Sequence, residues 1–281
     1  MLRHLTAVTS ITIALTSTAA WAAGDQRNCA VDLDSSGVVD GSDLGMLLAT
    51  WGVCPDCDGD FDGNGVIDGA DLGELLAHWG PLPVFDFGPT YPDDEAWQIA
   101  LELAGPGGPI IADPDQYERI DRDLDLIRAE VPALANQGHT PAWSPLSLIV
   151  GVLVGQPLDD FHCLNEYYQL DALYELFEFE GVQMYVLAFP HKLNPEALAT
   201  VYATLPEVQF AEPDSLIGGQ NDWMPMPGPD GTWTWVIDDG FHDCFDGCDC
   251  HTIYTITVTK DGTVSVNNVE QFGAPWCEFA K

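Results

Sequence analysis

The feature that most constrains this chain is an internal repeat at an offset of 28 residues. Asp32-Leu-Asp-Ser-Ser-Gly-Val-Val-Asp-Gly-Ser-Asp43 aligns with Asp60-Phe-Asp-Gly-Asn-Gly-Val-Ile-Asp-Gly-Ala-Asp71. The match runs on through Leu44/Leu72, Leu47/Leu75, Leu48/Leu76, Ala49/Ala77 and Trp51/Trp79, and Gly52 and Gly80 close the two units. Each unit reads as an acidic 12-residue loop leading into a short helix. The helix is apolar at i, i+3, i+4 and i+7, which is one face. A fold that accepts this pattern must build one supersecondary unit twice.

The loops have the chemistry of a hard-cation site. Ca2+ takes six to eight oxygens at about 2.3–2.6 Å, and loops of the EF-hand type supply them from positions 1, 3, 5, 7, 9 and 12. In the first loop these are Asp32, Asp34, Ser36, the Val38 carbonyl, Asp40 and Asp43. In the second they are Asp60, Asp62, Asn64, the Val66 carbonyl, Asp68 and Asp71. Gly37 and Gly65 stand at position 6, where the chain turns sharply and a positive φ is required. Val39 and Ile67, at position 8, are expected to pair with each other as a short strand contact between the loops. A solvated acidic linker would not repeat ligands, glycine and aliphatic residue in register, so the spacing implies two bound Ca2+ ions.

This pattern resembles a type I dockerin, the Ca2+-binding module of secreted bacterial proteins, over roughly residues 29 to 80. Asn28-Cys29-Ala30-Val31 and Pro55-Asp56-Cys57-Asp58-Gly59 are too short or too broken for the entering helix of an ordinary EF-hand, and position 12 is Asp rather than Glu. Both are dockerin traits. The resemblance implies a small all-α module over 25–80 whose loop positions 10 and 11 and exposed helix residues contact a cohesin, often through a Ser-Thr pair. Gly41-Ser42 and Gly69-Ala70 occupy those positions here. The Ca2+ role carries over residue by residue. The partner it implies is a cohesin-like or other extracellular protein.

Charge and the N-terminus narrow the setting. The chain has 45 Asp+Glu against 8 Lys+Arg, a formal charge of −37, and such a surface repels nucleic acid and anionic membranes. Its 46% hydrophobic content is enough to build cores. Met1-Leu2-Arg3-His4, the apolar stretch Leu5 to Ala20 and Ala20-Trp21-Ala22 read as a signal peptide over 1–22, with cleavage after Ala22. No later segment approaches the ~20 apolar residues of a membrane span. The expectation is a secreted, extracellular or cell-surface protein.

The remainder reads as multidomain α+β. Residues 81–144 are expected to be a linker, Pro81 to Pro92, followed by helices over about Asp93 to Ala104 and Gln116 to Glu130, with Ile120, Leu124 and Ile127 on one stripe. Over 145–215 the order is βαββαβ, a ferredoxin-like plan. Its strands are Leu146 to Leu153, Ala172 to Glu180, Val182 to Phe189 and Glu207 to Ala211. Its helices are Leu158 to Leu170 and Asn194 to Leu205, the latter with Asn194 as N-cap and Pro195 at N1. The run Asn194 to Asp214 resembles the end of a subtilase propeptide, or inhibitor I9-type domain. That resemblance implies packing on a protease, with a tail starting near Glu212-Pro213-Asp214 in its cleft. No Asp-Thr-Gly, His-Gly-Thr or Gly-Thr-Ser-Met motif follows.

Residues 216–281 form a Cys- and Trp-rich β region. Trp233, Trp235 and Ile237 alternate on one strand face as core, with sugar stacking as the alternative role, and Asp261-Gly262 marks a hairpin. Eight cysteines in an exported chain suggest disulfides, with Cys29, Cys54, Cys57, Cys244, Cys248, Cys250 and Cys277 as candidates; three lie in the N-terminal module and five beyond it, Cys163 among these, so either one bridge crosses domains or thiols stay free. His242, Cys244, Cys248, Cys250 and His251 would alternatively hold Zn2+, at a spacing that fits no common structural motif. No catalytic motif is present, so the chain reads as a non-catalytic Ca2+-binding protein acting in docking or surface association. Competing readings are a secreted protease inhibitor or assembly factor, and an accessory component of an extracellular polysaccharide-degrading system.

Overall fold

The computed structural model describes residues 30–277 apart from Ser35, Asp56, Gly219, Gln220, Asp243, Phe245 and Asp246. The expected signal peptide, Asn28 and Cys29 lie outside them. The chain divides into two units, Met1–Pro83 and Val84–Lys281. Among the described residues it is mixed α+β, with six α-helices and four small antiparallel sheets.

The first unit holds β1 (Val38–Val39), α1 (Gly41–Ala49), β2 (Gly52–Val53), β3 (Val66–Ile67), α2 (Gly69–Ala77) and β4 (Gly80–Pro81). Both helices start at an aspartate N-cap, Asp40 or Asp68, closed as a capping box by Asp43 or Asp71 at the third helical position. After each helix Gly52 and Gly80 take φ of +115° and +123°, a region that L side chains rarely adopt, so glycine is needed there. No helix separates β2 from β3 among the described residues.

The strand pairing differs from expectation. Val39 and Ile67 do not pair with each other: β1 pairs with β4 (Val39 opposite Gly80), and β3 pairs with β2 (Ile67 opposite Gly52). The reason is the positive-φ glycine after each helix, which delivers the helix's own tail to the other repeat's loop. Val39 and Ile67 meet instead through side chains, fully buried with Val31, Leu47 and Leu75 in one core. The helical stripe is also only partly buried. Leu48 and Leu76 remain 50% and 51% exposed, and Trp51 and Trp79 48% and 50%.

The second unit contains α3 (Asp94–Ala104), α4 (Pro114–Glu130), β5 (Trp143–Leu153), α5 (Asp159–Tyr167), β6 (Ala172–Phe179), β7 (Val182–Ala188), α6 (Pro195–Tyr202), β8 (Val208–Ser215), β9 (Asn221–Pro227), β10 (Trp233–Phe241), β11 (Cys250–Val258) and β12 (Val264–Gly273). Two four-stranded sheets result, ordered β6-β7-β5-β8 and β12-β11-β10-β9. Asn194 caps α6 as expected, accepting from the N–H groups of Glu196 and Ala197, with Pro195 at the first helical position.

Two cores cross the expected domain boundaries. Phe161, Leu164, Leu198 and Tyr202 from α5 and α6 cover one face of the first sheet, on Leu148, Val150 and Val152. On the other face Phe210 lies over Gly151, where an added Cβ would come within 2.2 Å of the ring. The second core joins Trp97, Ile99 and Leu101 of α3 and Ile120, Leu124 and Ile127 of α4 to Trp223, Trp235, Ile237 and Ile256 of the second sheet. The helices of 81–144 therefore form a layer on the C-terminal sheet. Pro81 to Pro92 is likewise more than a linker, because Phe85 and Phe87 pack on the first sheet's core and the Phe85 N–H donates to the Tyr167 carbonyl at 2.8 Å.

One buried charge locks that second layer. Asp123 is fully buried on α4 and accepts from Arg119 Nε at 2.8 Å, Arg122 Nη2 at 3.0 Å and Trp235 Nε1 at 3.2 Å. Arg119 also donates to the carbonyls of Gly231 and Val258, each at 2.7 Å, and lies over the Trp233 ring. Removing the carboxylate would leave a guanidinium half-paired and the indole N–H unmet. Asp123→Ala is expected to cost about 3–5 kcal/mol of stability, read as a lower midpoint in urea unfolding with unchanged slope.

Candidate metal centres

Each loop brings three carboxylates together at its base. Ligand oxygens of Asp32, Asp34 and Asp43 lie within 4.8 Å of one another, and so do those of Asp60, Asp62 and Asp71. Positions 1, 3 and 12 of the loop pattern thus converge in both repeats.

Backbone N–H groups orient the acids. Asp32 accepts from Ser36 N at 3.1 Å and Gly37 N at 2.7 Å, and Asp60 from Asn64 N at 3.0 Å and Gly65 N at 2.6 Å. Gly37 and Gly65 adopt φ of +79° and +82°, which turns their N–H groups inward. The last ligand spans loop and helix. Asp43 accepts from Asp40 N at 2.7 Å and Asp34 N at 3.3 Å, while Asp71 accepts from Asp68 N at 2.8 Å and Phe61 N at 2.9 Å.

The other expected ligands are placed differently. Asp40 and Asp68, at position 9, turn toward the helix and accept from Ser42 N and Ala70 N. A position-9 ligand commonly acts through water, which is compatible with that placement. Ser36 donates its hydroxyl to the Val38 carbonyl, and Asn64 accepts from Val66 N, so these side chains brace the loop. The sequence reading missed the tails. Cys54 N donates to the Gly65 carbonyl and Leu82 N to the Gly37 carbonyl, both at 3.0 Å. The repeated Trp-Gly at 51–52 and 79–80 was the available signal.

The donor set fits a hard divalent cation. It is made of carboxylates and carbonyls, and between Ala30 and Pro83 there is no Lys or Arg to neutralise it. Asp43 and Asp71 are nevertheless almost fully buried. Burial pushes the Asp32 carboxyl above its usual range, and the charge of Asp43 adds to this against the lowering effect of the Gly37 and Ser36 N–H groups. These triads could hold a metal ion.

Elsewhere, the expected sites resolve into structural pairs. Disulfides join Cys54 to Cys57, Cys244 to Cys248 and Cys250 to Cys277, and no described cysteine is free. The zinc alternative loses its thiolates to these bridges. His251 faces Asp238 at 2.8 Å and the Cys248 carbonyl at 2.9 Å. Trp233 and Trp235 are buried, as core residues. Glu212, Pro213 and Asp214 belong to β8: Glu212 and Pro213 lie opposite Ile149 and Leu148, and Asp214 accepts from the Ser147 hydroxyl at 2.7 Å. They are a paired strand rather than a free tail.

In the second unit His139 Nε2 lies 2.7 Å from a Glu102 carboxylate oxygen. Burial alone would raise the Glu102 carboxyl, but the hydrogen bonds from His139, Gln98 and the Ala142 N–H outweigh it and hold it below its usual range. His139 Nδ1 accepts from Trp223 N, and the ring is buried, so the pair braces α3 against β9.

No protein-family model, no curated protein and no solved structure matches the chain. Among the described residues, no helix is long and apolar enough to cross a membrane, and the disulfides are compatible with an extracellular protein.

Two outcomes are expected. Because the Asp32 pKa is raised in the cation-free fold, its contribution favours folding at low pH and is lost as pH rises through that raised value. With a chelator present, the first unit should melt higher below that raised value than above it. Saturating Ca2+ should reverse the order, since the cation needs deprotonated ligands. Replacing Asp71 or Asp43 by Ala should weaken divalent-cation binding at its own loop by about 100-fold or more, measured by titration calorimetry of the full chain with Ca2+ as the probe.

Proposed function

We propose that this chain is an exported, non-catalytic Ca2+-binding protein whose dockerin-like module, residues 25–80, mediates Ca2+-dependent docking or surface association. The observation that carries the reading is the pair of carboxylate triads at equivalent positions of two repeats, in a stretch, Ala30 to Pro83, that supplies no Lys or Arg. Two Ca2+ ions would neutralise charge that this segment cannot neutralise itself. Asp32, Asp34, Asp43 and their counterparts Asp60, Asp62, Asp71 would hold them, with the Val38 and Val66 carbonyls completing the shell.

Docking needs apolar surface as well as an ordered frame. Leu48 with Trp51 and Leu76 with Trp79 leave about half of each side chain in water, at matching positions of the two repeats. Exposed aromatic and aliphatic residues repeated in this way suit a protein partner. The cation would act by ordering the loops that start both helices, and so fix the spacing of the two apolar pairs.

A second reading, a protease inhibitor or assembly factor, draws on the first sheet of the second unit. Its βαββαβ order and β6-β7-β5-β8 arrangement suit a ferredoxin-like, I9-type plan. Tyr174 and Phe179 on the edge strand are 58% and 64% exposed beside Val186 and Val182. The pairing of Glu212 and Pro213 within β8 weighs against the tail-in-cleft mode.

The test is retention of a partner from the native secretome by immobilised full chain, with Ca2+ and with chelator. A defined partner should be held only with Ca2+ and lost in a Trp51→Glu/Trp79→Glu variant. Retention that ignores both the chelator and the variant would overturn the docking role. Nanomolar inhibition of a subtilisin-like protease would favour the second reading.

A further inference from the structure

We propose that the Cys54–Cys57 disulfide is a redox-sensitive staple on the second cation loop, so that opening it lowers cation affinity there. This rests on the reading that both loops bind Ca2+.

The bridge is wired into the loop at both ends. Cys54 N donates to the carbonyl of Gly65, the turn residue of the second loop, at 3.0 Å. Cys57 offers its carbonyl to Asp60 N, also at 3.0 Å, and Asp60 is the loop's first ligand. One covalent ring therefore ties the strand that closes the loop to the residue that opens it. Between the bridge and Asp60 the chain runs tight against the core. A Cβ at Gly59 would sit 3.2 Å from Ile67 Cδ1 and 3.3 Å from Leu47 Cδ1. Cys54 and Cys57 themselves pack, half-buried, on that core.

The tail that closes the first loop offers a comparison. Its closing bond comes from Leu82 N to the Gly37 carbonyl at 3.0 Å, the same contact 28 residues on. Leu82 stands where Cys54 stands, and no cysteine lies between Leu82 and Pro92. Position for position, one loop is closed by a stapled tail and the other by an unstapled one.

The redox step balances with a dithiol as reductant. A thiolate attacks one cysteine sulfur, the S–S bond breaks, and the reductant's second thiol displaces the mixed disulfide. The reductant leaves as a cyclic disulfide, and both cysteines end protonated. Opening the ring returns conformational freedom to residues 54–57, which must then be ordered again when the cation binds.

Ca2+ titration of the full chain, followed by NMR at the Gly37 and Gly65 amides, tests this. Each of those N–H groups donates to its loop's first carboxylate, so each reports one loop. In wild type both signals should shift on loading. In Cys54→Ala/Cys57→Ala, the Gly65 transition is expected to move to about 10- to 30-fold higher Ca2+, from the closure entropy of so small a ring. The Gly37 transition should move by less than about threefold. Wild-type protein treated with dithiothreitol should reproduce the Gly65 shift, and the double variant should not respond further there. Equal Gly65 transitions in wild type and variant would overturn the inference, as would loss of both loops together at saturating Ca2+. If wild type itself shows no transition at either glycine, the Ca2+ reading fails instead.

Discussion

Asp43 and Asp71 are the joints on which the first unit depends. Each lies almost fully buried, closes a helix capping box through the N–H of Asp40 or Asp68, and faces two other carboxylates. One residue thus belongs to the loop, to the helix and to the triad. Whatever neutralises that carboxylate also sets where the helix begins. Since each helix ends in a tail that pairs with the other repeat's loop, the two repeats are held by each other's backbone hydrogen bonds and a shared core. With no Lys or Arg between Ala30 and Pro83, the segment has backbone N–H groups but no side-chain ammonium or guanidinium to offset its charge.

The second unit treats its few cations differently. Arg119 and Arg122 meet on Asp123, Arg128 reaches Glu95 at 2.6 Å beneath the Trp223 ring, and Lys192 pairs with Asp94. Every one of these bases sits where separate elements join. In a chain with 8 bases and 45 acids, basic residues at joints leave the remaining acids to the solvent. The large negative charge is therefore mostly surface, while the structural work of charge is concentrated at a few buried or half-buried contacts.

Much of this was legible from residue spacing. The 28-residue repeat located both triads, and the period-3.6 stripe of Ile120, Leu124 and Ile127 located the buried face of α4. The Asn194-Pro195 pair marked the start of α6, and alternation marked Trp233, Trp235 and Ile237 as core. Each of these signals is local, carried within a few turns or strand residues. What failed was long-range. Pairing of Val39 with Ile67 looked natural from symmetry, yet the tails after the helices compete for the same strand edges and win because glycine turns them back. The layer made by α3 and α4 was equally hidden, because amphipathic helices state that they bury a face and not which sheet receives it.

By itself, then, the sequence determined which oxygens each loop can offer, where the helices start, and that two equivalent units exist, because ligand spacing, capping and periodicity are properties of short stretches. Only the tertiary structure decided which carboxylates converge and which turn aside to cap a helix. It also decided that each loop is closed by the other repeat's tail, and that Arg119 and Trp235 meet on Asp123 across 112 residues of sequence separation. Such contacts depend on competition among all the surfaces available for burial and pairing, and no single stretch of chain contains that information.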